Sequence, residues 1–250
     1  MHPDWVTPDW PALANVRAFM TTRAGGVSRA PYGSFNTATH VGDDPAAVAE
    51  NRSLLRQDLP NEPLWLNQIH GNAVARFDVV GIPNADASVA FQPGQVCVVQ
   101  TADCLPVLFC DQAGTVVAAA HAGWRGLVGG VLEETVRAMG VAPERILAWL
   151  GAAIGPEVFE VGDEVREAFV SQHALAGIAF RPALPGTLDE TPRKWLADIH
   201  ALARIRLAAV GVERVYGGGL CTFRDKSRFF SYRRERNTGR MASLIWLQDQ

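Results

Sequence analysis

The sequence predicts one domain that mixes α-helices with β-strands, and three observations carry that reading. Apolar runs at Val96 to Gln100, Leu105 to Cys110 and Thr115 to Ala120 have strand length and no polar alternation, so they read as strands buried on both faces. Other stretches carry helix-start signals followed by apolar residues at helical spacing. No repeat, low-complexity tract or long linker divides the 250 residues, and 48% hydrophobic with 20% charged residues is an ordinary globular balance.

In order, Val16 to Thr21 is a candidate strand. Arg23-Ala-Gly-Gly-Val-Ser28 follows, a loop whose glycines let backbone approach a ligand. Pro31 to Asp44 is polar and turn-rich and holds Asn36 and His40. Asp44 caps a helix, Pro45 takes its first position, and Val48, Leu54 and Leu55 give the apolar face. Leu64 to Gly71 and Ala73 to Phe77 read as a hairpin about Gly71-Asn72, with Gln68 and His70 on one strand face. Asp78 to Gln95 holds Pro-Asn-Ala-Asp and Gln-Pro-Gly and reads mostly as loop.

The strands Leu105 to Cys110 and Thr115 to Ala120 flank Asp111-Gln-Ala-Gly114 as a hairpin. A two-residue loop at Gln112-Ala113 sets Cys104 opposite His121 as a non-hydrogen-bonded pair. Pro106 falls on the same kind of position, where its missing N–H costs this ladder nothing. A type I turn with a Gly bulge slips the pairing by one and sets Cys104 against Ala122. Either register leaves the thiol and the imidazole at the same end of the hairpin.

One helix is expected from Trp124 to Met139, with Leu127, Val128, Val131, Leu132, Thr135 and Met139 inward and Gly140 closing it. Gly126, Gly129 and Gly130 weaken it by roughly 1 kcal/mol each against Ala, which close packing of backbone against the sheet would explain. Ile146 to Leu150 is the next strand, and Asp163 to Ser171 a short helix. Ala174 to Pro192 is an irregular excursion, and Lys194 to Val210 a long amphipathic helix facing Trp195, Ile199, Leu202 and Leu207 to the core. Val212 to Tyr216, Arg228 to Tyr232 and Arg240 to Trp246 are the last strands.

A net charge of −3 and a pI near 6.1 leave no basic footprint for nucleic acid. No apolar run approaches the ~20 residues of a membrane span, and the opening Met-His-Pro-Asp-Trp lacks the pattern of a secretory signal. The expectation is a cytoplasmic monomer without nucleic-acid or membrane partners. Four cysteines are too sparse for a disulfide scaffold, and Cys97 and Cys110 sit in apolar runs as small hydrophobes.

His70, Cys104 and His121 each lie at the end of an apolar strand run beside a loop, where sites are usually built. Three ligands from three strand ends leave a fourth zinc position open, as in catalytic rather than structural sites. The same atoms also permit a metal-free arrangement, with Cys104 as nucleophile and His121 as its base. Asp103 is either a loop-fixing or a catalytic carboxylate. Arg23, Arg125, Arg233 and Arg234 are candidate anion contacts, each more simply read as a surface or ion-paired arginine. His40 is ambiguous, and His173 and His200 read as helix residues among polar neighbours.

Several motifs run in order across nearly the whole chain. They are Arg23 to Ser28, Ser34-Phe35-Asn36, Gln68-Ile-His70-Gly71, Thr101-Ala-Asp-Cys104-Leu-Pro, Ala120-His121-Ala-Gly-Trp-Arg-Gly126, and Gly151-Ala-Ala-Ile-Gly-Pro156 with Phe159-Glu160-Val161. Phe230-Ser-Tyr-Arg233-Arg234-Glu with Thr238-Gly239-Arg240 completes the set. Together they resemble the YfiH-like laccase-domain family. The resemblance implies a single α+β domain over residues 1–250 in which mixed β-sheets pack face to face with helices outside. It implies zinc on His70, Cys104 and His121, which become the catalytic residues. It also implies phosphorolysis of adenosine, inosine, guanosine or methylthioadenosine, with phosphate as co-substrate, and adenosine deamination. Arg23 is then the expected anion contact and Asn36 the contact to ribose or base.

An older label of that family, multicopper polyphenol oxidase, does not suit the composition. A blue-copper centre alone takes two His and a Cys, and the further copper cluster of such oxidases draws on more histidines than the six present here. A single copper at the His-Cys-His site could still give weak oxidation in vitro. The His-x-Glu with Pro-Cys-x-x-Cys signature of nucleobase deaminases is absent as well. Beside the phosphorylase stand two other classes: a metal-independent cysteine hydrolase of an amide or ester, and a zinc-dependent binding module.

Overall fold

Strands buried on both faces need a layer on each side, and the molecule supplies four layers. A computed structural model describes residues 2–183 and 194–249. In it β1 (Val16–Met20) pairs antiparallel with β12 (Met241–Leu247), which pairs antiparallel with β4 (Val96–Thr101). A second sheet of six strands runs in the order β11 (Arg214–Gly217), β7 (Ile146–Leu150), β5 (Leu105–Asp111), β6 (Val117–Ala122), β3 (Ala87–Ala90) and β2 (Val74–Ala75). Its two edge pairings are parallel and its inner three antiparallel. A small third sheet orders β8 (Glu160–Gly162), β10 (Lys194–Ala197) and β9 (Phe180–Pro182).

The period-2 alternation of strand side chains divides the core. Met20, Cys97, Val99 and Ile245 of the three-stranded sheet meet Leu108, Cys110, Ala119 and Trp149 of the six-stranded sheet in one cluster. Phe19, Val98 and Leu244 point outward to Leu55, Trp5 and Trp65. Val107, Phe109, Ala118 and Leu150 point to the opposite exterior, against Leu132 and Leu202. The fold is therefore α+β with two sheets face to face and helices outside, as the resemblance implies.

Helix α1 (Pro45–Arg56) starts as read, with the Asp44 carboxylate accepting the Ala46 amide at 2.9 Å. Two expected helices are interrupted. Gly130, at φ 90°, separates α2 (Trp124–Val128) from α3 (Val131–Met139). Gly126 is needed for close approach, since a Cβ there would lie 2.9 Å from the Gly71 carbonyl, a neighbour in the His70 turn rather than the sheet. After α4 (Asp163–Val170), Lys194 to Ala197 pairs as β10, and only then does Asp198, accepting from the Ala201 amide at 2.9 Å, begin α5 (Ile199–Ala209). Residues 184–193, most of the predicted excursion after Pro182, lie outside the described residues. No helix of the described residues is long and apolar enough to cross a membrane.

The central hairpin takes neither expected register. Leu105 faces Ala122, Pro106 faces His121 and Cys110 faces Val117, so one further step sets Cys104 against Gly123. The Asp111 carboxylate causes the shift, because it accepts the Thr115 and Val116 amides (2.7 and 3.0 Å) and closes a longer loop. A slip of two from the first register preserves the face of each side chain. Pro106 lies as expected, its carbonyl turned away to accept from Gly151 in line with β7.

The hairpin about Gly71-Asn72 does not form. Leu64 and Asn67 make single parallel bridges to Cys97 and Asn84, and His70 turns through φ 61°. Within the predicted loop Asp78 to Gln95, Ala87 to Ala90 is a buried strand. Arg228 to Tyr232 is no strand either. Phe229 and Phe230 fill the space between the sheets, and Ser231 caps the short helix α6 (Tyr232–Glu235).

Candidate metal centre

Three segments that are distant in sequence end at one point. Cys104 stands in the crossing from β4 to β5, His121 near the end of β6, and His70 in the turn before β2. Cys104 Sγ is 4.0 Å from His70 Nε2. The two imidazoles meet edge-on with centroids 4.8 Å apart. One donor atom from each residue lies within 4.8 Å of the other two. Donors on a tetrahedral zinc are about 3.3–3.6 Å apart, so shifts on the order of 1 Å close the set. Gly123 leaves room for it, since a Cβ there would stand 2.8 Å from His70 Cδ2 and 3.0 Å from Cys104 Sγ.

Asp86, a residue that sequence reasoning missed, organises two of the three. Its carboxylate is buried and accepts the amides of Ile69, His70 and Gly71 at 3.1, 2.9 and 2.7 Å, which shapes the His70 turn. Oδ1 also lies 2.8 Å from His121 Nδ1, and the Asp86 carbonyl accepts the His121 amide at 2.7 Å. Burial alone would raise the Asp86 pKa, but the hydrogen bonds from His121, Gly71 and His70 hold it below the ordinary carboxylate range. With Nδ1–H given to Asp86, the lone pair of His121 is on Nε2. This is the outer-partner arrangement that orients metal-binding imidazoles.

Without a metal the trio forms a charged pair. Burial would raise the Cys104 pKa, yet the charge and hydrogen bond of His121, with those of His70, bring it down to about 6. Burial likewise opposes a charged His121, but the Cys104 thiolate and the Asp86 carboxylate raise it to about 9. Cys97 and Cys110 go the other way, pushed up to about 12 mainly by burial. Asp103, at φ 92°, is a loop-fixing carboxylate. It accepts from Thr222 Oγ1 (2.6 Å), Ser231 Oγ (3.0 Å) and the Arg233 amide (2.6 Å).

The trio opens into a cavity of about 530 Å³, within the usual range for small-molecule sites. Trp124, Ile154, Phe159 and Ile199 are its apolar lining; the last three belong to the core beneath the helices and Trp124 packs against it. His40, Gln68, Gln100, Tyr232, Arg233 and Arg240 are its polar lining. Gln68 is fixed there like a strand partner, donating to the Gln100 carbonyl (2.9 Å) and accepting its amide (2.7 Å).

Arg23 and Asn36 do not line this cavity. The Arg23 guanidinium donates to the carbonyls of Gly33 and Lys226 and pairs with Glu235 at 3.0 Å. Asn36 is fully buried, tied through its side chain to Ala38, Asp43 and the Arg240 amide. Arg125 lies over Trp124 on the exterior, and Arg234 is held by three carbonyls and Glu235. Of the four arginines singled out from sequence, Arg233 reaches the cavity, together with Arg240, which the sequence marks as the start of a strand and part of a family motif but not as an anion contact. His40 lines it too. His200 is buried instead of lying among polar neighbours, with Nε2 3.3 Å from the Gly151 carbonyl.

Fold and site together define a protein of paired sheets with a two-imidazole, one-thiol centre at the floor of a cavity. The chain belongs to the family described as multi-copper polyphenol oxidoreductase laccase, whose model matches residues 17–248. It is 58% identical over 245 residues to a purine nucleoside phosphorylase of Pseudomonas aeruginosa, covering 98% of this chain and 99% of that one. It is 54% identical over 246 residues to purine nucleoside phosphorylase YfiH of Escherichia coli, covering 97% and 98%. A crystal structure of a Neisseria meningitidis protein of the DUF152 family superposes with a TM-score of 0.92 at 52% identity, covering 98% and 100%. Among the described residues, His70, Cys104 and His121 are the one group of three or more side chains placed to hold a metal.

Proposed function

We propose that this chain is a zinc-dependent purine nucleoside phosphorylase acting on adenosine, inosine, guanosine or methylthioadenosine, with adenosine deamination as a second activity of the same site. The observation that carries it is the convergence of His70, Cys104 and His121, with His121 oriented by Asp86, on one cavity with apolar and polar lining. The names of the full-length relatives support phosphorolysis in particular. His70, Cys104 and His121 would hold the zinc, which when bound supplies the Lewis-acid charge that activates an oxygen nucleophile near neutral pH.

The chain's own residues do the rest. The apolar lining, Trp124 and Phe159 above all, takes the flat purine and excludes water from one face of the ribose. The cationic lining holds the phosphate. A phosphate oxygen bonds to C1′ as the C1′–N9 bond breaks, and the electron pair leaves on the purine, which takes up a proton. Asp103 cannot give that proton, because it is already engaged by Thr222, Ser231 and Arg233. The imidazole of His40 and the phenol of Tyr232 line the cavity and donate to no acceptor among the described residues, so either could give that proton. In deamination a water oxygen adds at C6 of adenine and ammonia leaves.

Metal analysis joined to a product screen tests this reading. The expected result is one zinc per chain and release of purine base from nucleosides only when phosphate is present. Base release independent of phosphate, or inert zinc-loaded protein, would overturn it.

A second reading is favoured by the Cys104–His121–Asp86 alignment, which also suits a cysteine hydrolase of an amide or ester without metal. Turnover that survives exhaustive chelation, with covalent trapping of Cys104, would select it.

A further inference from the structure

Arg240 lines the cavity with two of its three guanidinium nitrogens uncommitted. Arg240 stands immediately before β12, and the pairing of Met241 with Thr101 carries it alongside Ala102, two residues from Cys104. Its Nη1 donates to the carbonyls of Thr238 (2.8 Å) and Gly239 (3.1 Å), which holds the guanidinium in place. Among the described residues no carboxylate pairs with it, and its Nε and Nη2 meet no protein acceptor. Arg233, the other arginine of the cavity, turns both terminal nitrogens to the single Glu160 carbonyl. Arg234 engages all three guanidinium nitrogens with carbonyls and Glu235, and Arg23, which does not line the cavity, gives Nε and Nη1 to the Gly33 and Lys226 carbonyls and to Glu235.

The Thr101 hydroxyl, on a residue 1% exposed that lines the same cavity, also has no partner. A planar fork of unpaired N–H groups is the usual receptor for two oxygens of a tetrahedral anion. The same cavity is lined by Trp124, Phe159 and the His-Cys-His trio.

We infer that Arg240 is the phosphate-binding residue, its Nε and Nη2 donors receiving two phosphate oxygens while the purine lies on the Trp124–Phe159 side. This rests on the phosphorylase reading. It replaces Arg23, whose guanidinium is committed elsewhere.

The test is steady-state phosphorolysis by zinc-loaded wild type, Arg240→Gln and Arg240→Lys, with phosphate and nucleoside varied separately and zinc content measured alongside. Arg240→Gln is expected to raise the KM for phosphate about tenfold or more and to leave the nucleoside KM within about threefold. Arg240→Lys, which keeps the charge but loses the fork, is expected to raise the phosphate KM by a smaller factor of about threefold or more. Phosphate KM values unchanged in both variants would overturn the inference.

Should the variants not fold, the wild-type protein decides. Inorganic phosphate alone is expected to slow phenylglyoxal modification of Arg240, mapped by peptide mass, and to leave the exposed Arg181 unaffected. No protection of Arg240 would overturn the inference. The two readings fail differently. Phosphate-independent base release by wild type sinks the phosphorylase, whereas phosphate-dependent release with an indifferent Arg240 sinks only the role assigned to that residue.

Discussion

The carboxylate of Asp86 lies 2.8 Å from Nδ1 of His121 and at the same time accepts the backbone amide of His70. One buried acid thus sets the ring of one candidate ligand and the chain path of another. Replacing it by Ala frees the His121 ring and strands the amides of the His70 turn. Asp86→Ala is expected to weaken zinc binding about 10–100-fold, read by competition with a chromophoric chelator. It should also lower stability by about 2–4 kcal/mol, read by chemical denaturation.

Gly123 has an ordinary extended backbone, φ −64° and ψ 158°, so a methyl group there brings no backbone strain. It would instead press on His70 and Cys104. Gly123→Ala is expected to fold with a near-native melting temperature in the metal-free state and to bind zinc about tenfold or more weakly. Equal zinc affinity would show that the three donors meet elsewhere.

Removing a donor outright should exceed the effect of removing its outer partner. Cys104→Ala and His121→Ala are expected to lose phosphorolysis by more than about 100-fold while keeping the wild-type circular dichroism. Turnover retained in either variant would place the chemistry outside the trio.

The thiol of the metal-free protein offers a pH test. A pKa lowered to about 6 means the thiolate persists as pH falls from neutrality and is lost only below that value. Iodoacetamide should therefore label Cys104 with a midpoint near 6, and His121→Asn should move the midpoint upward, since it removes the neighbouring positive charge. Cys97 and Cys110, pushed up to about 12, should stay unlabelled across neutral pH.

Leu108 is fully buried between the two sheets. Leu108→Ala is expected to cost about 3–5 kcal/mol by denaturant melting, with little change in the zinc site of the protein that remains folded.

Much of the sandwich was legible in the chain because its central strands are buried on both faces. Val96 to Gln100 and Leu105 to Cys110 read as buried strand runs, each within one residue of the observed strand, and local signals such as Asp44-Pro45 place α1 correctly. What escaped depends on contacts between distant segments. The register of the central hairpin is set by the side chain of Asp111 rather than by its turn residues. Strand β3 is short, built of Ala and Ser as much as Val, and framed by turn-forming residues, so it passed for loop. Asp86 sits at the edge of that stretch, and its partners in the His70 turn and on β6 are invisible locally. Nor does any local pattern separate Arg240 from Arg23. The difference between them is whether the guanidinium already has acceptors, which only the assembled fold decides.

The passage Ala102 to Cys104 is the point where the chain leaves one sheet and enters the other. A metal seated on Cys104, His70 and His121 would rivet the two layers, for neither could slide along its neighbour without dragging sulfur away from the rings. Amide exchange in β4 and β12 should then slow when the centre is filled, letting the far layer of the sandwich report its occupancy.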